Sequence, residues 1–167
     1  TVYGLQGLYL FEGDLYWSSN FDPRVFWRPL AGGAVREFAG GPPVDIADML
    51  VERDYVYTIQ WHGTPSPIYR YPRAGGAPER VGEIPAQGGE EIIRSRTGDM
   101  LIGAQFSSNI WRLSSTGSTL TLLFDLGSGR DVQQLAEDDR YLYATCAGPN
   151  ELLRIDLSAR TIRVLLT

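Results

Sequence analysis

The sequence predicts an all-β fold, a β-propeller of four blades with four antiparallel strands each, and three observations predict it. First, an apolar–x–Arg pattern returns as Phe26-Trp27-Arg28, Ile68-Tyr69-Arg70, Ile110-Trp111-Arg112 and Leu152-Leu153-Arg154, the arginines 42 residues apart each time. A fixed period in the forties that fills a chain of 167 residues is the mark of a repeat architecture. Second, short segments rich in Tyr, Val, Ile, Leu and Trp lie between Gly, Pro, Asn and Asp turns, as strands do. Third, no apolar period of 3.6 persists long enough for a helix. A β-sandwich could use as many short strands, but it has no reason to repeat one arginine at one spacing.

The period divides the chain into blades at about 1–43, 44–86, 87–128 and 129–167. In the first, strands are expected at 5–12, 14–20, 24–30 and 34–39, and in the second at 46–52, 55–61, 67–72 and 78–83. The third gives 90–96, 99–105, 109–113 and 119–124, and the fourth 131–137, 140–146, 151–156 and 161–166. A landmark precedes each arginine: Leu15-Tyr16-Trp17, Val56-Tyr57-Thr58, Leu101-Ile102-Gly103 and Leu142-Tyr143-Ala144. Each is introduced by a polar turn such as Glu12-Gly13-Asp14 or Thr97-Gly98-Asp99. Between third and fourth strands, Ala31-Gly32-Gly33-Ala34 and Ala74-Gly75-Gly76-Ala77 supply the positive φ of a tight hairpin. Thr116-Gly117-Ser118 and Ser158-Ala159-Arg160 serve there in the later repeats. A blade packs on neighbours through both faces, so its inner strands should be apolar on both, as Tyr55-Val56-Tyr57 and Met100-Leu101-Ile102 are.

Composition excludes several chemistries. The net charge is −5 and no basic run exists, against what nucleic acid or an anionic membrane surface requires. All 15 basic residues are Arg, which rules out a Schiff-base or phosphate-loop lysine. His62 and Cys146 are single, so a zinc site of several His and Cys ligands and an intrachain disulfide are both excluded. Cys146, at a strand end, reads as a small buried hydrophobe. No apolar run is long enough for a membrane helix, and no charged-then-apolar leader pattern is present. The first residue is Thr1 rather than Met, which suggests a processed chain or a fragment.

Chemistry is expected where inter-blade segments and the loops between second and third strands meet at the channel mouth. Asp45 and Asp48, Glu90 and Glu91, and Asp131 each fall just before an innermost strand. The loops add Ser19, Asn20 and Asp22, then Trp61 and His62, then Phe106 to Asn109, and Asn150. Converging carboxylate and amide oxygens suit a hard cation such as calcium, with Asp45, Glu90 and Asp131 as its ligands. His62 could act as a general base oriented by Asp22 or Asp45. Asn20, Asp22, Trp61, His62, Phe106 and Asn150 form the expected ligand surface, with Trp61 and Phe106 as its aromatic platform. Arg28, Arg70, Arg112 and Arg154 are assigned to structure, as clamps between neighbouring blades, because a buried guanidinium must be paired.

The stretch from Leu15 to Gly33 resembles the YWTD repeat of lipoprotein-receptor-type propellers, with Tyr16-Trp17-Ser18-Ser19 at the motif position. Tyr141 to Leu166 resembles blades of the TolB-like and gluconolactonase-like group. In later repeats the motif becomes Val56-Tyr57-Thr58-Ile59, Leu101-Ile102-Gly103-Ala104 and Leu142-Tyr143-Ala144-Thr145. Those families close with six blades, whereas four are present. The four either close alone, as in hemopexin-like propellers, or form an arc whose ring is completed by a second copy or by further blades. No hemopexin-like helical ends occur, which favours the arc. Three functions are expected from this: a non-catalytic module binding a protein or small ligand, a calcium-dependent hydrolase or lactonase using Asp45, Glu90, Asp131 and Asn20, or an assembly unit whose only ligand is other copies of itself. Calcium is what the second implies; the first needs no cofactor.

Overall fold

The computed structural model describes residues 5–19, 22–38, 45–115 and 119–167. Four sheets of four antiparallel strands follow one another along the chain, and no helix occurs among the described residues. The first sheet is β1 (Leu5–Phe11), β2 (Asp14–Ser19), β3 (Asp22–Pro29) and β4 (Arg36–Glu37). The second is β5 (Ile46–Val51), β6 (Tyr55–Gln60), β7 (Ser66–Pro72) and β8 (Glu79–Ile84). The third is β9 (Gly89–Arg94), β10 (Met100–Ala104), β11 (Asn109–Leu113) and β12 (Leu120–Asp125). The fourth is β13 (Val132–Glu137), β14 (Leu142–Cys146), β15 (Glu151–Asp156) and β16 (Thr161–Leu166). Within each sheet spatial order is chain order, the up-and-down meander of a propeller blade.

Turn chemistry sets the hairpins. Gly32 and Gly33 have φ of 105° and 127°, Gly75 and Gly76 of 95° and 131°. The amides of Gly32 and Gly75 donate to Pro29 and Pro72 carbonyls at 3.0 Å, so the paired glycines serve as expected. In the fourth sheet Asp156 Oδ1 instead accepts from the Ser158 and Ala159 amides. Residues 116–118 lie outside the described residues. The outermost strand of the first sheet is shorter than expected, only Arg36–Glu37.

Each pair of successive sheets encloses one apolar cluster. Tyr16, Val25 and Phe38 of the first sheet meet Ile46, Met49, Val56 and Tyr71 of the second. Tyr57, Ile59 and Ile68 of the second meet Ile92, Met100, Ile102 and Leu113 of the third. Leu101, Ile110 and Phe124 of the third meet Val132, Leu135, Leu142, Ala144 and Leu153 of the fourth. Every sheet thus has an incoming face, turned to its predecessor, and an outgoing face, turned to its successor. β6 and β10 are buried almost throughout, because both their faces are covered. Gly103, on the outgoing face of β10, is held to its size by the next sheet: a Cβ there would stand 2.5 Å from Val132 Cγ1.

Cross-strand register corrects two expectations. Arg70, Arg112 and Arg154 stand opposite Tyr57, Leu101 and Tyr143, on outgoing faces. The third landmark is therefore Met100-Leu101-Ile102, one residue earlier than the sequence alignment placed it. Arg28 stands opposite Leu15 and so on the incoming face, while Trp27 fills the outgoing position. The period in sequence is even, but loop lengths differ between repeats, and the first arginine lands on the other side of its sheet.

The second correction concerns the clamps. Arg70 donates to Glu79 at 2.7 and 2.9 Å and lies over the Tyr55 ring, all within its own sheet. Arg112 is 3.8 Å from Asp99, and Arg154 covers Tyr141, again within one sheet. Strand three is peripheral, so its guanidinium reaches its own hairpin more readily than the adjoining sheet. The bonds between sheets come from residues at or near strand ends. Arg73 donates to Tyr16 Oη at 3.0 Å and to Glu12 at 3.1 Å. Arg94 holds both oxygens of Glu52, at 2.6 and 2.7 Å, and Glu52 precedes it by 42 residues. Beside it, the Arg96 amide donates to Glu137 at 2.8 Å and its guanidinium pairs with Asp139.

A contrast between two arginines tests this assignment. Arg94→Leu should lower the melting temperature by about 3–6 °C, from a half-buried two-pronged ion pair worth roughly 1.5 kcal/mol. Arg112→Leu, exposed and loosely paired, should cost about 1 °C or less. Thermal unfolding followed by circular dichroism compares the two, and equal losses would refute it.

Candidate functional site

The expected gathering of inter-blade segments and second-to-third loops at one end occurs, through backbone bonds that repeat. The Trp61 amide donates to the Asp45 carbonyl at 3.0 Å, Gln105 to Gly88 at 2.7 Å and Ala147 to Asp131 at 2.9 Å. This rim is reinforced by Arg130, which donates to Glu151 and to the Leu126 carbonyl. At the second sheet, His62 Nδ1 and Asp45 Oδ2 are 2.7 Å apart. Trp61 stands edge-on to both His62 and Phe106, with centroids 6.5 and 6.2 Å away. Phe106 is 57% exposed. Its ring closes over Gly88, whose φ of 73° and crowding (a Cβ would be 2.7 Å from the ring) leave no room for a side chain.

Of the expected ligand residues, Trp61, His62 and Phe106 are therefore brought together, and Asp45 is the carboxylate that orients the imidazole. Asn150 lies in the β14–β15 turn, where its φ of 55° and its amide bond to the Ala147 carbonyl shape the chain reversal. Asn20 lies outside the described residues; Asp22 opens β3, and its side chain is likewise not described.

The proposed metal ligands are not gathered. Among the described residues no three His, Cys, Asp or Glu side chains are disposed to hold a metal ion. Asp45 is occupied by His62, and Asp131 stands at the rim before β13. Asp48, Glu90 and Glu91 belong not to loops but to the innermost strands β5 and β9. They line the centre of the molecule with Gly7 and Gln133, in a cavity of about 910 Å³. That cavity extends over Leu8, Leu15, Trp17, Arg28 and Val35, the incoming face of the first sheet. The sequence signal for Asp48 was its place inside the otherwise apolar stretch Ile46 to Val51.

These three carboxyl groups sit where charge is hard to hold. Burial raises Glu90 to about 7, with the neighbouring Asp48 charge adding to it. Asp48 and Glu91 also lie above the carboxylate range, burial being the main cause for both. For Glu91 the charges of Asp48 and Glu90 add to the effect, while for Asp48 the Ile92 amide, 3.0 Å from Oδ2, works against it. Near neutrality burial and mutual repulsion therefore favour protonation within this group, where Asp48 and Glu91 are hydrogen-bonded to one another. At the rim, Cys146 is buried as expected, and its thiol is raised to about 11 by burial.

No protein-family model and no curated protein sequence matches the chain. Solved structures do. A virginiamycin B lyase from Staphylococcus aureus superposes with a TM-score of 0.82 at 15% identity, over all of this chain and 57% of that one. A chain of a nidogen/laminin complex gives 0.75 at 12% identity, over 90% of this chain and 57% of that one. The computationally designed Ika4 protein gives 0.62 at 14% identity, over 96% of this chain and 89% of that one. These likenesses define the fold: the chain is made of four-stranded β-propeller blades. It spans little more than half the length of the first two chains.

The raised carboxyl groups give a pH dependence. A group protonated more readily when folded contributes stability below its unfolded value, near 4.5, and loses it as pH rises through about 7. Glu90→Gln removes the titration but keeps the shape. Its melting temperature relative to wild type should therefore climb by roughly 2–4 °C between pH 5 and pH 8. A gap constant with pH, measured by scanning calorimetry, would show that Glu90 titrates normally.

Proposed function

We propose that the chain is a non-catalytic interaction module, an arc of propeller blades that binds a partner across the incoming face of its first sheet. One comparison between repeats carries this. Leu8 pairs with Trp17 as Met49 pairs with Thr58, Ile92 with Ile102 and Leu135 with Ala144. Met49 and Ile92 are fully buried and Leu135 is 6% exposed, each under the preceding sheet, whereas Leu8 is 69% exposed. Leu10, at 61%, continues the row, and Leu15 and Trp17 lie beside it on the same face. A row of large apolar side chains open to water is costly at about 25 cal/mol per Å² and marks a surface that another takes up.

The incoming position on the third strand strengthens the reading. Tyr71, Leu113 and Ile155 occupy it in later sheets, each almost wholly buried, while the first sheet has Arg28, exposed. An arginine beside apolar anchors is the composition of a binding surface rather than of a permanent interior. Length agrees: in the lyase chain that these four sheets match, the remainder has room for roughly three more of their size. The His62–Asp45 pair with Trp61 and Phe106 is the second place where a small ligand would be held, by stacking and a hydrogen bond to the free imidazole nitrogen.

An apolar dye tests the open face without needing the partner. At nanomolar concentration the chain should enhance anilinonaphthalene sulfonate fluorescence, and Leu8→Ser with Leu10→Ser should abolish most of that while leaving the melting temperature within about 2 °C. Equal dye binding by wild type and variant would show that this face is covered within the molecule.

A further inference from the structure

We infer that the partner on the first sheet's incoming face is the fourth sheet of a second copy, so that two chains close one ring about a two-fold axis. The inference rests on the reading of the open face just given and supplies its occupant.

The fourth sheet ends the arc with an outgoing face, and that face repeats the pattern of the outgoing faces already covered. Val25 with Phe38, Ile68 with Gly82 and Ile110 with Phe124 are outer-strand pairs turned to the next sheet, all buried except the half-buried Gly82. The corresponding pair in the fourth sheet is Leu152 with Leu166, and Leu166 is 65% exposed. Tyr143 stands opposite Arg154 as Tyr57 stands opposite Arg70, so the inner part of the pattern is present too. One end of the arc is thus an uncovered incoming half and the other an uncovered outgoing half. Two different halves of one interface on one chain are what a head-to-tail association requires, and a pair that closes leaves no edge unsatisfied.

Charge agrees with that orientation. Between the first and second sheets, Tyr16 Oη, Glu12 and Asp14 of the outgoing rim surround Arg73, with Asp14 at 3.8 Å. The fourth sheet presents a similar pair in Tyr143, whose hydroxyl donates to Asp138 at 2.7 Å. On the first sheet the position matching Arg73 is Leu30, which donates to Gly13 as Arg73 donates to Asp54. Arg28 stands two residues away on the same face and brings the guanidinium to that acidic rim. A closed pair holds two copies of the interface, doubling the area that a single face could bury.

Sedimentation velocity of the full chain, with two variants, decides it. Wild type should sediment as a dimer of about 37 kDa at micromolar concentration. Leu8→Glu and Leu166→Glu should each raise the dissociation constant at least about 30-fold, because each damages both interfaces of the pair. Mixed together, the two variants can pair with one interface intact, and the dimer should partly return. Circular dichroism confirms that each variant is folded; Leu10→Glu and Leu152→Glu replace any that is not. A monomeric wild type that still binds the apolar dye would overturn the second copy but leave the open face standing. A dimer unaffected by both substitutions, or no recovery on mixing, would overturn the pairing of these two faces.

Discussion

Everything in this molecule depends on a sheet having two faces to cover and only one hairpin's worth of chain to cover them with. A four-stranded meander of some 42 residues cannot bury its own apolar side chains; it must lend each face to a neighbour. Three such loans produce the three buried clusters, each joining one outgoing face to the next incoming one. Strand-end arginines then fix how far each sheet rotates on the last: Arg73 against Glu12, Arg94 against Glu52, Arg96 against Asp139. Among the described residues Leu8 on the first incoming face and Leu166 on the last outgoing face stay exposed, and the proposed function follows from those two.

The fold was largely legible because a strand in this architecture writes its environment plainly into its residues. Runs such as Tyr55-Val56-Tyr57-Thr58-Ile59 are apolar on both faces only where both are buried, and Gly-Gly pairs announce hairpins. The assignment of faces was not legible. Arg28 keeps the sequence period and yet points to the opposite side from Arg70, since period counts residues while face depends on how many of them the intervening loop consumes. The same cause displaced the third landmark by one residue. Clamping arginines were missed because Arg73, Arg94 and Arg96 follow no common spacing from the repeat marker.

The candidate site divides in a similar way. Trp61, His62, Asp45 and Phe106 were expected together from loop positions and are together, as loops at one end of a meander must be. The acids Asp48, Glu90 and Glu91 were grouped with the inter-blade segments, although the expected strands at 46–52 and 90–96 already contain them. Their place on innermost strands, lining the central cavity, raises their hold on protons through burial and mutual repulsion. What sequence order could not convey is that a residue's distance from the propeller axis, more than its place in a loop or strand, decides its electrostatics.

The central claim is that the first and fourth sheets carry the two halves of one interface and present them to another chain rather than to each other. A crystal structure of the chain measures this most directly. The account predicts Leu8 of one copy buried beneath Leu152 and Leu166 of another, with Arg28 at the rim formed by Tyr143 and Asp138. A ring in which the fourth sheet packs on the first sheet of its own chain, burying Leu8 within one molecule, would contradict it.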